Sequence, residues 1–289
     1  MTDKKQPRTK TFFITGVSGG LGRGIAQAAL DAGHAVIGTV RNDEDATAFE
    51  QLGPRAGARL LDVTDEDAVR TTIDGVESEH GPIDVLVVNA GYGHEGILEE
   101  TTMDDVRRQF EVNVFGAVAT IKAALPHMRA RRDGHIFTIT SMGGLRTFPA
   151  LSLYHGSKYA LEGISESLAR EVEHLGIHVT AVAPGGFRTD WAGRSMARTP
   201  NTIDDYAPVL APAREARRNG SGRQLGNPIK AGEALLEVLQ DPHPPRHLVL
   251  GSDALRLVAQ GRQEVQADID RFEQLSRSTD FADGYQLAS

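Results

Sequence analysis

Short runs of β-branched and aromatic residues alternate along this chain with segments whose apolar positions recur at helical spacing. Thr11–Thr15 reads as a first strand, Leu21–Ala32 as a helix stopped by Gly33, and Ala35–Val40 as a second strand. A polar helix from Asp43 to about Leu52, a short strand at Ala58–Leu61 and a helix over Asp65–His80, with Thr64 as its N-cap, continue the alternation. Asp84–Asn89 is nearly all apolar, as suits a strand buried on both faces of a parallel sheet. A long helix near Met103–Arg131, a strand at His135–Thr140, a helix over about Tyr154–Leu175 and strands at Ile177–Ala183 and His247–Leu250 complete the series. Seven strands with helices between most of them predict an α/β fold, a doubly wound parallel sheet of the Rossmann type.

The same pattern sets the domain plan. Residues 1–10 read as a flexible N-terminus, 11–275 as one dinucleotide-binding domain and 276–289 as a tail. Asp190–Asn227, rich in Ala, Arg, Pro and Gly, reads as an irregular lid, because loops this long in compact domains are often functional. Leu255, Val258, Val265, Ile269 and Phe272 mark an amphipathic C-terminal helix that covers the core or a subunit interface.

Composition narrows the classes. The 289 residues are 40% hydrophobic, enough for a substantial core, and 24% charged, near the globular average. A net charge of −8, with no basic block longer than a pair such as Arg131-Arg132, speaks against nucleic acid as a partner. With no cysteine there are no disulfides, thiolate metal sites or cysteine nucleophiles, which suits a cytoplasmic protein. The charged N-terminus is followed by too short an apolar run for a signal peptide, and no stretch approaches the ~20 apolar residues of a membrane span. The ten histidines include no His-Glu-x-x-His, so no metal site is expected.

The first strand runs into Thr15-Gly16-Val17-Ser18-Gly19-Gly20-Leu21-Gly22, where a helix begins. Glycines let the backbone turn tightly there and bring N–H groups toward a pyrophosphate at the positive end of the helix. A turn that merely needs positive φ is the bland alternative, and the strand before and helix after favour the dinucleotide. Gly16-x-Ser18-x-Gly20 also fits a hydrolase nucleophile elbow, but too little chain precedes Ser18 to build the oxyanion-hole strand and loop that fold requires.

Further motifs follow in order. Asn89-Ala90-Gly91 closes the fourth strand, Asn113 lies in the next helix, Ser141 ends the fifth strand and Tyr154-x-x-x-Lys158 follows. Pro184-Gly185 comes after the sixth strand, with Thr189 four residues beyond the glycine. Together with the glycine turn this set resembles the short-chain dehydrogenase/reductase family in its non-extended branch, strongly over about Thr11–Asp190. Val88 stands where the family commonly has a first Asn. The C-terminal part, with His247-Leu248-Val249-Leu250-Gly251-Ser252 and a long helix, is closer to the hydroxysteroid-dehydrogenase-like subgroup. Extended-branch epimerases and dehydratases use another glycine spacing and a larger C-terminal domain. A non-catalytic nucleotide-sensing protein on the same fold is the alternative function, and such proteins typically lack the Tyr/Lys pair.

A spacing of four places Tyr154 and Lys158 on one helix face, where an ammonium would stabilise a phenolate and lower its pKa. The resemblance implies that Tyr154 exchanges a proton with a carbonyl or alcohol oxygen, that Ser141 orients that oxygen, and that Lys158 also binds the nicotinamide ribose. It further implies that Asn113 supports a proton relay and that Pro184, Gly185 and Thr189 hold the carboxamide. Asp62 and Val63 would border the adenine by the same resemblance. His155 points away from Tyr154 by helical geometry and reads as a bystander or substrate-loop contact. The position that carries a ribose-binding carboxylate in NAD enzymes falls on Val40, and Arg41 follows with a guanidinium suited to the extra phosphate of NADP. NADP is therefore the expected cofactor, with NAD possible. Leu145, Phe148, Leu151 and Trp191 suggest an apolar small-molecule carbonyl or alcohol substrate, and the family implies a homodimer or homotetramer.

Overall fold

Strands this apolar need cover on both faces, and the chain supplies it. The computed structural model describes residues 9–191, 193, 195–281 and 284; residues 1–8 of the expected flexible N-terminus and 282, 283 and 285–289 of the expected tail lie outside the described residues. The strands are β1 (Thr11–Ile14), β2 (Ala35–Val40), β3 (Ala56–Leu60), β4 (Val85–Val88), β5 (Gly93–Glu95), β6 (Gly134–Ile139), β7 (Ile177–Pro184), β8 (Met196–Arg198) and β9 (His247–Leu250). The helices are α1 (Gly20–Asp31), α2 (Asp43–Glu50), α3 (Glu66–His80), α4 (Met103–Phe110), α5 (Gly116–Arg131), α6 (Ser152–Val172), α7 (Ala207–Gly220), α8 (Pro228–Val238) and α9 (Ser252–Arg277). Seven strands form one parallel sheet in the order β3-β2-β1-β4-β6-β7-β9, the doubly wound sheet read from sequence. Chain progress reverses between β1 and β4, and ligands of such sheets bind at that crevice, beyond the strand carboxyl ends.

Alternate strand residues face opposite layers. Phe12 and Ile14 of β1 join Ile25, Ala29, Phe49 and Leu235 on the side of α1, α2 and α8. Phe13 joins Ile73, Ile121, Met128 and Leu161 on the side of α3, α5 and α6. The contact of α1 with α8 is backbone-close: a Cβ on Gly24 would lie 2.5 Å from Pro228, and one on Gly232 would lie 2.6 Å from the Ala28 Cβ.

Three expectations need correction. The helix expected near Met103–Arg131 is interrupted by a wide π-type turn at Glu111–Phe115, a device frequent at functional sites. The Asn113 amide there bonds across to Tyr92 and Ser157, which fixes the extra residue in place. The cap of α3 is Asp65, whose carboxylate accepts the Ala68 N–H at 2.9 Å, while Thr64 donates to Asp62. The expected lid holds regular structure, β8 and α7, because its Ala and Arg residues favour helix between the Pro and Gly residues. The amphipathic C-terminal helix forms as α9, with Ala254, Val258 and Gly261 buried against the body and Leu255, Val265, Ile269 and Phe272 exposed. No helix among the described residues is long and apolar enough to cross a membrane.

Gly24→Ala should cost about 1–3 kcal/mol through overpacking, several degrees of Tm. Gly163→Ala on α6, where an added Cβ meets nothing within 4 Å, should leave Tm unchanged or raise it slightly. Thermal unfolding of the two variants checks both outcomes.

Candidate active site

Every candidate residue sits at or beyond the carboxyl ends of the parallel strands or on the helix faces turned toward them. Gly16 and Gly20 adopt φ of +75° and +62°, so the turn between β1 and α1 uses backbone conformations that side chains resist. A Cβ on Gly22 would strike the Gly16 carbonyl oxygen at 2.2 Å and Asn89 Nδ2 at 2.5 Å. This is a cradle of bare backbone at a helix N-terminus, with Ser18 exposed and Leu21 half-buried on its rim. Across it lies Thr189, whose Cβ would be 3.7 Å from a Cβ on Gly20, so two elements far apart in sequence face one another.

Asn89 builds the cradle from beneath. Its Nδ2 donates to the carbonyls of Thr15 at 2.8 Å and Gly16 at 2.9 Å, and Thr15 Oγ1 accepts the N–H groups of Asn89 and Ala90. Gly91 then approaches Asn113, whose Oδ1 would lie 3.0 Å from an added Cβ. Asn113 accepts the Tyr92 N–H at 3.0 Å and donates to the Tyr92 carbonyl at 2.9 Å and to Ser157 Oγ at 3.1 Å. Both ends of its side chain are thus engaged within the fold.

Ser141, Tyr154 and Lys158 come together as the spacing requires. Ser141 Oγ accepts the Gly143 N–H at 2.9 Å and hydrogen-bonds the Tyr154 phenol. Lys158 Nζ lies 5.8 Å from the centre of the Tyr154 ring and donates to the Ile139 carbonyl, at the end of β6, at 2.8 Å. Burial pushes the phenol up to about 12, against the opposing Ser141 hydrogen bond, and pushes the amine down to about 8, against the pull of Glu162. The sequence leads to a phenol made acidic by lysine; within this fold, burial acts more strongly on both groups. At neutral pH the site therefore presents a protonated phenol and an amine close to its titration midpoint.

The remaining candidates frame the two ends of the cleft. Arg41 is exposed beyond β2, and its charge, after the stronger hydrogen bonds from Thr64, helps hold the Asp62 carboxyl below its usual range. Val63 is buried against Gly116. At the other end, Pro184 closes β7, and a Cβ on Gly185 would collide with Asp253 at 2.4 Å. Asp253, at the start of α9, accepts the Gly186 N–H at 2.7 Å and so braces this turn. His155 fixes the loop after β6: Nδ1 contacts the Gly143 carbonyl at 2.8 Å and Nε2 accepts the Phe148 N–H at 2.9 Å.

Several residues at the site carry no motif. Trp191 lies tilted against the Tyr154 ring, centroids 5.1 Å apart at 55°, and with Leu151 and Met196 forms an apolar wall. Ala150 holds φ of +65°, a left-handed conformation costing roughly 1–2 kcal/mol, and is fixed by burial beside Ile97 and Leu210 and by the Gly96 N–H on its carbonyl. The short pair of β5 and β8 places Glu95, 1% exposed, beneath α7. Burial would raise that carboxyl's pKa, but Arg214 at 2.7 Å and Arg217 at 2.6 Å hold it below the usual range. Arg214 and Arg217 follow Leu210 along one face of α7, so this face docks onto the loops beside Tyr154. The i, i+4, i+7 spacing of Leu210, Arg214 and Arg217 marks one helix face in the sequence but names no partner for it.

A crevice at the reversal point of a doubly wound sheet, carrying a glycine turn on one strand and a Tyr/Lys pair on the flanking helix, defines an oxidoreductase of the Rossmann class. A short chain dehydrogenase family model matches residues 10–199, and this chain belongs to the short-chain dehydrogenase family. Oxidoreductase BOA17 of Botryotinia fuckeliana (strain B05.10) is 38% identical over 274 residues, 93% of this chain and 98% of that relative. The solved structure of a short-chain dehydrogenase from Streptomyces avermitilis superposes with a TM-score of 0.88 at 38% identity, covering 95% of this chain and 99% of that one. The structure of ElxO with NADP bound does so with a TM-score of 0.72 at 27% identity, covering 86% and 100%.

Removing one partner of a buried ion pair leaves the other charge uncompensated. Glu95→Ala should therefore destabilise the fold by roughly 3 kcal/mol and speed tryptic cleavage after Arg214 and Arg217. Unchanged cleavage in limited proteolysis would show that Glu95 does not hold α7 down.

Proposed function

We propose that this chain transfers a hydride between NADP(H) and a ketone/secondary alcohol pair or an aldehyde, with an apolar small molecule as substrate. The observation that carries the reading is the meeting of Ser141, Tyr154 and Lys158 beside a glycine cradle. The cradle fits a dinucleotide: bare backbone at Gly16, Gly20 and Gly22 leaves room for phosphates, and Thr189 faces it from the far wall. Gly16, Ser18, Gly20, Leu21 and Gly22 would hold the pyrophosphate, Arg41, Asp62 and Val63 the adenosine end, and Asn89, Ala90 and Gly91 the middle. Pro184, Gly185 and Thr189 would hold the carboxamide, and Tyr154 and Lys158 the nicotinamide ribose. When bound, the cofactor supplies or accepts the hydride.

The protein's part is proton management and placement. In the reductive direction Tyr154, protonated at neutral pH, donates its phenol hydrogen to the carbonyl oxygen, and Ser141 hydrogen-bonds the same oxygen. Lys158 stabilises the phenolate that results. The wall of Leu151, Trp191 and Met196 seats an apolar group and keeps water from the reacting oxygen. NADP is preferred over NAD because Arg41 follows a buried Val40 where a ribose-binding carboxylate would stand. We place the chain in the non-extended, hydroxysteroid-dehydrogenase-like branch, acting in the cytoplasm from a single domain over residues 11–275. Homodimers or homotetramers would cover the apolar residues that α9 leaves exposed.

Three outcomes are expected from cofactor absorbance assays with a panel of ketones and alcohols. Tyr154→Phe should lower kcat by about 10²–10⁴ while leaving cofactor affinity intact; full activity would leave a nucleotide-holding fold with another acid. Arg41→Ala should weaken NADPH by roughly tenfold or more and spare NADH; equal effects on both would remove Arg41 from cofactor choice. The Lys158 amine is charged below about 8 and neutral above it, so reductive kcat should fall as pH rises through that value. A rate that climbs through that interval would contradict the role of its charge.

A further inference from the structure

Tyr154 and Lys158 are not the end of the polar line on α6. One turn further along the same face stands Glu162, 5% exposed, and one turn beyond that Glu166. A carboxyl this deep needs partners. Thr140, adjacent to Ser141 at the end of β6, donates its hydroxyl to Glu162 Oε1. His247, on the edge strand β9, faces Glu162 Oε2 through Nδ1 at 3.0 Å, and its Nε2 stands 3.6 Å from Glu166 Oε2. The His247 side chain is 32% exposed, so its ring joins the buried carboxyl to the surface. The loop after β6 closes the other side: a Cβ on Gly144 would lie 2.8 Å from the Lys158 carbonyl oxygen and 2.9 Å from Glu162 Cγ.

We infer that Glu162 is a positioning residue for Lys158, a buried carboxyl connected to solvent by His247 that sustains the ammonium charge on which Tyr154 relies. The inference rests on the acid–base reading of Tyr154 and Lys158. Without a carboxyl nearby, desolvation alone acts on the lysine and favours its neutral form. A carboxylate one turn away opposes this, and the attraction works in both directions: Lys158 lowers and Glu162 raises the partner's affinity for its proton. Burial raises the Glu162 pKa, and Thr140 and His247 counter that shift, so loss of His247 would favour the neutral form of Glu162 and weaken its hold on Lys158. The other charged or titratable groups near Glu162 are Tyr159 and Glu166 on α6 and Arg146 on the loop after β6; of these Arg146 and Glu166 have their own partners in Glu264 and Arg170. Among these groups Glu162 is therefore the buried carboxyl that acts on Lys158.

Lys158 is one of six lysines in the chain, so its side-chain carbons can be followed in the whole protein by NMR with 13C-labelled lysine, and assigned through Lys158→Arg. Glu162→Gln keeps the shape and the Thr140 contact while removing the charge. The Lys158 midpoint should then fall by on the order of one pH unit, a tenfold change in the ratio of ammonium to amine. His247→Gln should move it the same way by a smaller amount, and serves if the first variant does not fold. Glu166→Gln should leave it in place. A midpoint unmoved in both Glu162→Gln and His247→Gln, or moved equally by Glu166→Gln, would overturn the inference. The titration needs no substrate or cofactor, so it stands or falls apart from the catalytic assignment. If that assignment also holds, the fall of reductive kcat with rising pH shifts to lower pH in Glu162→Gln.

Discussion

An ammonium withdrawn from water is costly to hold, and the chemistry assigned to this chain depends on one that is kept 6% exposed. Lys158 is held there by the packing of α6 across the carboxyl end of the sheet and by a single carbonyl, that of Ile139, at 2.8 Å. The same packing buries Tyr154 and keeps its phenol protonated. A lysine free in solvent would be charged at every physiological pH; this one sits close enough to its midpoint that neighbouring charges decide its state. The acid and the cation therefore owe their behaviour to the sheet beneath them as much as to their spacing on the helix.

Around that pair the fold solves a second problem, the close approach of backbone to backbone. The cradle between β1 and α1 is tight enough that Gly22 has no room for a methyl group, and Asn89 fastens it to the neighbouring strand through two carbonyls. At the other end Asp253 braces the turn after β7 in the same way. Both contacts use half-buried polar side chains to fix main-chain groups, which gives a ligand a rigid surface on arrival and lowers the ordering cost of binding.

Much of this was legible in the sequence. Seven apolar runs became the seven strands of one sheet, because parallel strands covered on both faces leave a simple signature. Gly16, Gly20, Asn89, Ser141, Tyr154, Lys158 and Thr189 fell at strand ends or on the helix beside them because the motifs mark places where backbone geometry admits few residues. What escaped was tertiary. The interruption at Asn113 depends on Tyr92 and Ser157, which lie on other elements. The docking of α7 depends on Glu95, more than a hundred residues away, and Ala and Arg in that segment gave no hint of a partner. The cap of α3 moved by one residue because Thr64 and Asp65 both suit the position and only the competing bond to Asp62 separates them. Helical spacing leaves His155 between a bystander and a substrate-loop contact, and both its nitrogens tie down the loop that walls the site.

The most direct measurement is a crystal structure of the protein with NADP and an unreactive ketone or alcohol analogue. The account predicts the reacting oxygen within about 3 Å of both Ser141 Oγ and Tyr154 Oη, its apolar portion against Trp191 and Leu151. An analogue whose oxygen turns away from both hydroxyls while the cofactor lies in the glycine cradle would contradict the account.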